Sequence, residues 1–157
     1  MQVFKLMFVL TVIAVMTGSP TNPAIADNGA KISVSKTATC GCCSAWIDHL
    51  KKGGYHVTAQ NLSFGILSRF KTKRGIRPEL ASCHTATVAG YTIEGHVPVR
   101  EIERLLKEKP DAIGLTVPGM PIGSPGMESG TTRDAYDVLL IRRDGSTQVY
   151  AHYPAKG

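Results

Sequence analysis

No stretch of this 157-residue chain offers the roughly 20 consecutive apolar residues that a helix needs to cross a bilayer. The longest mostly apolar run, residues 6–16, is too short; it follows Lys5 and stops at Thr17, Gly18, Ser19 and Pro20. Ala24 and Ala26 then stand at the spacing a signal peptidase reads, so residues 1–26 are expected to be a secretory leader cleaved after Ala26. No arginine pair precedes the run and no cysteine ends it, which argues against a twin-arginine signal and a lipid anchor there. Internal repeats and long low-complexity tracts are absent as well, so an array or solenoid is not expected. What remains, residues 27–157, is one domain's worth of chain, expected in the oxidising periplasm with no membrane span after leader removal.

Basic residues outnumber acidic ones by 18 to 12, for a formal charge of +6. They fall in short groups such as Lys71, Lys73 and Arg74 and are not interleaved with aromatics, so nucleic acid is not an expected partner.

Cysteine is scarce: four residues, three of them in Cys40-Gly41-Cys42-Cys43 and the fourth in Cys83-His84. Disulfides that act as staples close long loops, where they remove the most entropy from the unfolded chain. A tight cluster closes none, and a bond between the neighbours Cys42 and Cys43 would strain a single peptide unit. The cluster therefore points to thiolates gathered for a soft metal or for thiol exchange.

Residues 32–36 alternate like a strand, and residues 44–52 place Ala45, Trp46, His49 and Leu50 near one helical face before Gly53-Gly54 ends it. The cluster thus sits where a strand hands over to a helix. A second strand is expected at 55–59, a second helix at 62–73, strands at 85–89 and 91–94 about Gly90, and a helix from Pro98 to 107. Asp144-Gly145 marks a hairpin between strands at 138–141 and 147–151. The Gly/Pro-rich segment 117–130 reads as a loop, and residues 153–157 are expected to be disordered. This order, with Cys40-x-x-Cys43 at the first strand-to-helix junction, is similar to a thioredoxin-like α/β fold with a central mixed sheet flanked by helices and an added Gly/Pro/Met loop. In such a fold Cys83 and His84, entering the third strand, would face the cluster. The positive end of the first helix would lower the cysteine pKa values.

Met120 and Met127 lie in that loop, where there is little core for them to fill, and thiolate with thioether points to Cu(I) rather than Zn(II). Hydrophobic packing of the loop is the alternative reading of both. His84 is the best placed histidine. His96 is a candidate either for orienting a ligand or for structure, whereas His49 and His56 read as structural or solvated and His152 as surface.

Thr39-Cys40-Gly41-Cys42-Cys43, Glu79-Leu80-Ala81-Ser82-Cys83-His84-Thr85-Ala86, Tyr91-Thr92-Ile93-Glu94-Gly95-His96-Val97-Pro98 and the loop 119–128 together resemble the DUF411 family of CopG-type copper-resistance proteins. The resemblance implies a thioredoxin-like fold and copper handling in the periplasm, with a multinuclear Cu(I) site built on Cys40, Cys42, Cys43, Cys83 and His84 and assisted by Met120 and Met127. It also implies copper redox activity and, as partners, copper ions and a periplasmic copper-handling or electron-transfer protein. Two alternatives stay open. A thiol-disulfide oxidoreductase would attack with Cys40 and resolve with Cys43. A domain with two structural disulfides, for example Cys40 or Cys42 to Cys83, would need no metal.

Overall fold

Strand β1, Lys31–Lys36, turns Ile32 and Val34 into the core and leaves Lys31 and Ser33 outside, the period-2 pattern its sequence carries. The computed structural model describes residues 29–157, so the expected leader and its cleavage point lie outside the described residues. After β1 the chain makes α1 (Gly41–Lys52), β2 (His56–Asn61), α2 (Phe64–Lys73), a 3-10 turn at Pro78–Leu80, β3 (Thr85–Val88) and β4 (Tyr91–Glu94). It continues with α3 (Val99–Glu108), β5 (Ala112–Thr116), β6 (Tyr136–Arg142) and β7 (Thr147–Tyr153).

The strands form one mixed sheet in the order β2-β1-β3-β4-β5-β6-β7. β1 runs parallel to β2 and antiparallel to β3, β3 and β4 form a hairpin, and β4 runs parallel to β5. The β2-β1-β3-β4 half, with α1 and α2 as crossovers, is the thioredoxin-like arrangement expected from the element order. β5, β6 and β7 extend it on one side. β5 was not anticipated from the sequence, although Ala112-Ile113-Gly114-Leu115 is a short apolar run behind the breaker Pro110. α1 begins at Gly41 rather than Ser44, which puts Cys42 and Cys43 in its first turn.

Two apolar clusters hold the sheet. Trp46, Leu50, Ile102 and Leu105 from α1 and α3 pack with Ile32, Val34, Ile93 and Val138, whereas Ile76, Leu80 and Ile141 form a smaller group. Along β6, Val138 and Leu140 meet the first cluster and Leu139 and Ile141 the second, so the clusters occupy opposite faces. α1 buries Cys43, Trp46, Ile47 and Leu50, the i, i+3, i+4, i+7 set of an amphipathic helix.

The β6-β7 hairpin turns at Asp144-Gly145 as expected, with Asp144 Oδ1 accepting from the Ser146 N–H at 2.8 Å. The C-terminal expectation is corrected. Tyr153 closes β7, stacks on Tyr136 with centroids 4.8 Å apart and donates to Glu101 at 2.9 Å, while Lys156 and Arg133 exchange backbone hydrogen bonds of 2.9 and 2.8 Å. Aromatic stacking and a two-way backbone pairing anchor a tail whose composition alone signals neither. Among the described residues, no helix is long and apolar enough to cross a membrane.

Candidate metal centre

Cys40 occupies the N-cap of α1, in extended backbone, and its Sγ accepts from the Cys43 N–H at 3.3 Å, the place an N-cap oxygen usually takes. Cys42 projects from the first turn and Cys43 is fully buried. Across from them the segment before β3 presents Cys83 and His84. The four cysteine sulfurs lie within 4.8 Å of one another, with Cys42 Sγ 3.5 Å from Cys40 Sγ and 3.8 Å from Cys83 Sγ. Cys40 and Cys43 are joined as a disulfide, leaving Cys42 and Cys83 as free thiols. The expectation of four free thiolates is corrected to that extent: in this form two of the four sulfurs are oxidised to the bond that the Cys-x-x-Cys spacing permits.

A second group shares Cys83. His84 Nδ1 lies 3.2 Å and His96 Nε2 3.1 Å from Cys83 Sγ, and the three donor atoms fall within 4.8 Å of one another. His96 Nδ1 donates to the Pro125 carbonyl at 2.8 Å. A neutral imidazole carries one N–H, so that bond fixes the tautomer and turns the Nε2 lone pair toward Cys83. His84 is fully buried, its ring 4.3 Å from Trp46 and 5.0 Å from His96. Burial, and then the neighbouring His96 and Lys71, hold the His84 pKa well below the ordinary imidazole value, and burial lowers that of His96. Both are neutral at pH 7, the form that ligates metals.

Cys83 departs from the expected lowering of thiol pKa values. It stands on the segment before β3, and burial followed by the charge of Cys42 pushes it up to about 12. A buried Glu94 carboxylate braces the segment from beneath. It accepts from the Ser82 N–H at 2.7 Å, the Thr85 hydroxyl at 2.6 Å and the Lys71 ammonium at 2.5 Å. Cys83 and His84 are thus bracketed by two residues tied to one carboxylate. Gly95 permits the return: its φ is +71°, and a Cβ there would stand 2.5 Å from the Ser82 side chain.

The loop after β5 covers the cluster. Gly126, φ +84°, lies so close to α1 that a Cβ would be 2.7 Å from the Trp46 nitrogen and 2.9 Å from the Cys42 carbonyl oxygen. Met127 follows it, half-buried, its N–H bonded to the Ser124 carbonyl at 2.8 Å. Met120 is 52% exposed, the one expected ligand left at the surface. His49 is structural as expected, its Nε2 accepting from the Val99 N–H at the start of α3 at 3.1 Å. His152 pairs with Asp137 at 2.7 Å on the surface.

Two solved structures share this arrangement of chain. Described as copper resistance protein copG, form 2 and form 1, they superpose with TM-scores of 0.76 and 0.75 at 43% and 44% sequence identity. The first match covers 80% of this chain and 98% of the other, the second 79% and 97%. A family profile described as "Protein of unknown function, DUF411" matches residues 80–127, the span holding Cys83, His84, His96, Met120 and Met127. The chain belongs to the DUF411 family. No curated protein sequence matches it.

In this DUF411 protein the donor set fits a soft ion. Sulfur predominates, the nitrogen donors are neutral, and no carboxylate joins either group. His84 Nε2, buried, has no hydrogen-bond partner among the described residues, and Nδ1 is the nitrogen turned toward Cys83. His96 is the residue on which the sequence left two readings open. Its distance to Cys83 comes from the turn after β4, which no local pattern specifies.

Proposed function

We propose that this protein takes Cu(I) as cargo at a multinuclear site formed by Cys40, Cys42, Cys43, Cys83 and His84, with His96 as a further nitrogen donor and Met127 closing the site from the loop. The observation that carries the reading is the convergence of all four sulfurs within 4.8 Å in a chain 43% identical to a copper resistance protein. Bridging sulfurs let several Cu(I) ions share few ligands, because each thiolate spreads its charge over more than one cation. Cys42, with sulfur neighbours on two sides, is the natural bridge.

Loading requires two chemical changes. The Cys40–Cys43 disulfide is reduced to two thiols by two electrons and two protons from an external dithiol reductant, which is itself oxidised to a disulfide, and each thiol that becomes a ligand releases its proton. Cys83, protonated at neutral pH, contributes one of those protons. His84 and His96 need lose none, since both are already neutral.

Protection of the periplasm from copper follows from sequestration. Redox turnover is the further step: Cu(I) gives one electron to an acceptor protein and becomes Cu(II), which the histidine donors suit better than the thiolates do. The leader expected at residues 1–26 places this activity in the periplasm. A plain thiol-disulfide oxidoreductase, with Cys42 and Cys83 as a second pair or as bystanders, is less well supported, because it gives His84 and His96 no task.

Native mass spectrometry of the reduced mature protein, loaded anaerobically with Cu(I), tests the site. Several copper ions per chain are expected, and Cys42→Ser should remove more than one of them. A wild-type protein that retains one ion or none would refute the multinuclear reading.

A further inference from the structure

β2 is the last strand on its side of the sheet, and among the described residues no strand lies beyond it. The His56 N–H donates to the Ala30 carbonyl at 3.1 Å and the Leu62 N–H to the Lys36 carbonyl at 2.8 Å, so the even-numbered residues of β2 turn their backbone groups toward β1. A strand alternates. Val57, Ala59 and Asn61 therefore turn their N–H and C=O groups outward, where no strand meets them. Apart from half-buried Val57, every residue of β2 is exposed.

Open edges invite pairing, and proteins blunt them with charge, proline, a bulge or a covering group. The opposite edge of this sheet is guarded in that way. A register shift interrupts the β6-β7 pairing between Val138 and Leu139, Arg104 Nη1 donates to the Tyr150 carbonyl at 3.0 Å, and Arg133 Nε donates to the Pro154 carbonyl at 2.9 Å. β2 has none of these devices. Residues 53–68 contain no Lys, Arg, Asp, Glu or Pro, and the β1-β2 register runs unbroken from Lys31↔His56 to Lys36↔Asn61. Apolar surface adjoins the edge. On α2, Ser68 and Thr72 line the groove that ends at Cys83, before β3, and Ile66 and Phe70 lie on the opposite flank of the helix, the β2 side. Ile66 is 47% exposed and Phe70 half-buried.

We infer that two copies of this chain pair through β2, antiparallel about a two-fold axis at Ala59, to form one continuous sheet. In that register Ala59 exchanges both backbone hydrogen bonds with Ala59 of the second copy, and Val57 and Asn61 exchange theirs with Asn61 and Val57 of the second copy. The edge is complementary to itself: its outward groups are symmetric about Ala59, the smallest side chain of the strand, and no like charges meet across the axis. That symmetry is what an isologous contact requires, and it favours a second copy over an unrelated extended segment. A strand of 6 residues falls short of the about 800 Å² per partner of a standard interface, so a dimer that dissociates in the micromolar range is expected even with Ile66 and Phe70 beside it. The pairing is independent of the copper reading. The cysteine cluster follows β1, which runs parallel to β2, so antiparallel pairing sets the two metal centres at opposite ends of the joined sheet and leaves each open.

Sedimentation velocity of the metal-free mature protein, kept reduced so that the thiols of Cys42 and Cys83 cannot link two copies, should show a monomer–dimer equilibrium that shifts with concentration. Ala59→Lys sets two ammonium groups against each other at the axis and should weaken the dimer about tenfold, as should Ala59→Glu with two carboxylates; mixing the two variants should restore a one-to-one dimer. Ala59→Pro, which removes an outward N–H and no bond to β1, should also weaken it, with circular dichroism confirming that each variant folds. Hydrogen exchange supplies a readout on the wild type: the Val57, Ala59 and Asn61 amides should become protected as concentration rises, while those of Thr58 and Gln60 stay as they are. A protein that is monomeric over the whole range would overturn the proposal. A dimer indifferent to Ala59→Lys would do the same, since another surface would then hold it. So would Lys and Glu variants that remain monomeric when mixed, or protection that does not alternate along β2.

Discussion

His96 carries a prediction that separates a ligand from a structural histidine. Its Nδ1 is held by the Pro125 carbonyl and its Nε2 is turned to Cys83. His96→Asn can keep the first contact through its amide N–H and removes the second. The variant should retain its fold while copper retention against a competing chelator falls at least tenfold; unchanged retention would return His96 to a supporting role. Glu94 gives the complementary case. Glu94→Gln leaves the Lys71 ammonium buried without its carboxylate, and breaking such a pair costs about 3–5 kcal/mol. Urea unfolding should register that loss, and adding Lys71→Met should recover a substantial part of it, because the unpaired charge is then gone. These contacts explain what could be read of the site. Cysteine spacing declares Cys40, Cys42 and Cys43 as a unit, since neighbours in sequence must be neighbours in space. The distances from Cys83 to Cys42 and His96 depend on two turns folding back across the sheet, and no local signal sets them.

The Gly/Pro-rich segment after β5 behaves as a fitted cover at the scale of an element. Gly126 sits where only a residue without a Cβ fits against α1, the Pro125 carbonyl holds His96, and Met127 follows directly. Met120, seven residues earlier, is exposed. Met127→Leu, close in volume, should therefore weaken copper retention without unfolding the protein, whereas Met120→Leu should leave retention unchanged. Parallel chelator competition and thermal melts check both; equal effects at the two positions would mean that the loop's placement does not select its donor. α1 and the terminal hairpin were legible because helical periodicity and Asp144-Gly145 are local signals. β5 was harder to read. Its five residues form a strand because they pair with β4 and β6 on either side, and a short apolar run carries no period long enough to announce that.

The whole molecule sets its response to acid. Burial lowers the pKa values of His49, His84 and His96 from the ordinary 6.5. The unfolded chain therefore binds protons at these sites more readily than the folded one, and stability rises with pH wherever that difference operates. Their contribution is present above pH 6.5 and is lost as pH falls through the folded-state values. Glu94, raised by burial, has the opposite sign but is a single group. The urea midpoint of the metal-free protein should fall between pH 7.5 and pH 5.5, and a flat or rising profile would show that the histidines are not buried as described.

Composition and spacing by themselves determined the element order of the thioredoxin-like half, the gathering of thiols at a strand-to-helix junction and the softness of the donor set. Those features are local, fixed by side-chain period, turn chemistry and the identity of adjacent residues. Tertiary structure decided that burial pushes the Cys83 thiol pKa up, that His96 faces the cluster and that the C-terminal tail is anchored. Each of these depends on burial or on contact between segments far apart in the chain, and desolvation and long-range packing exist only once the sheet has closed around them.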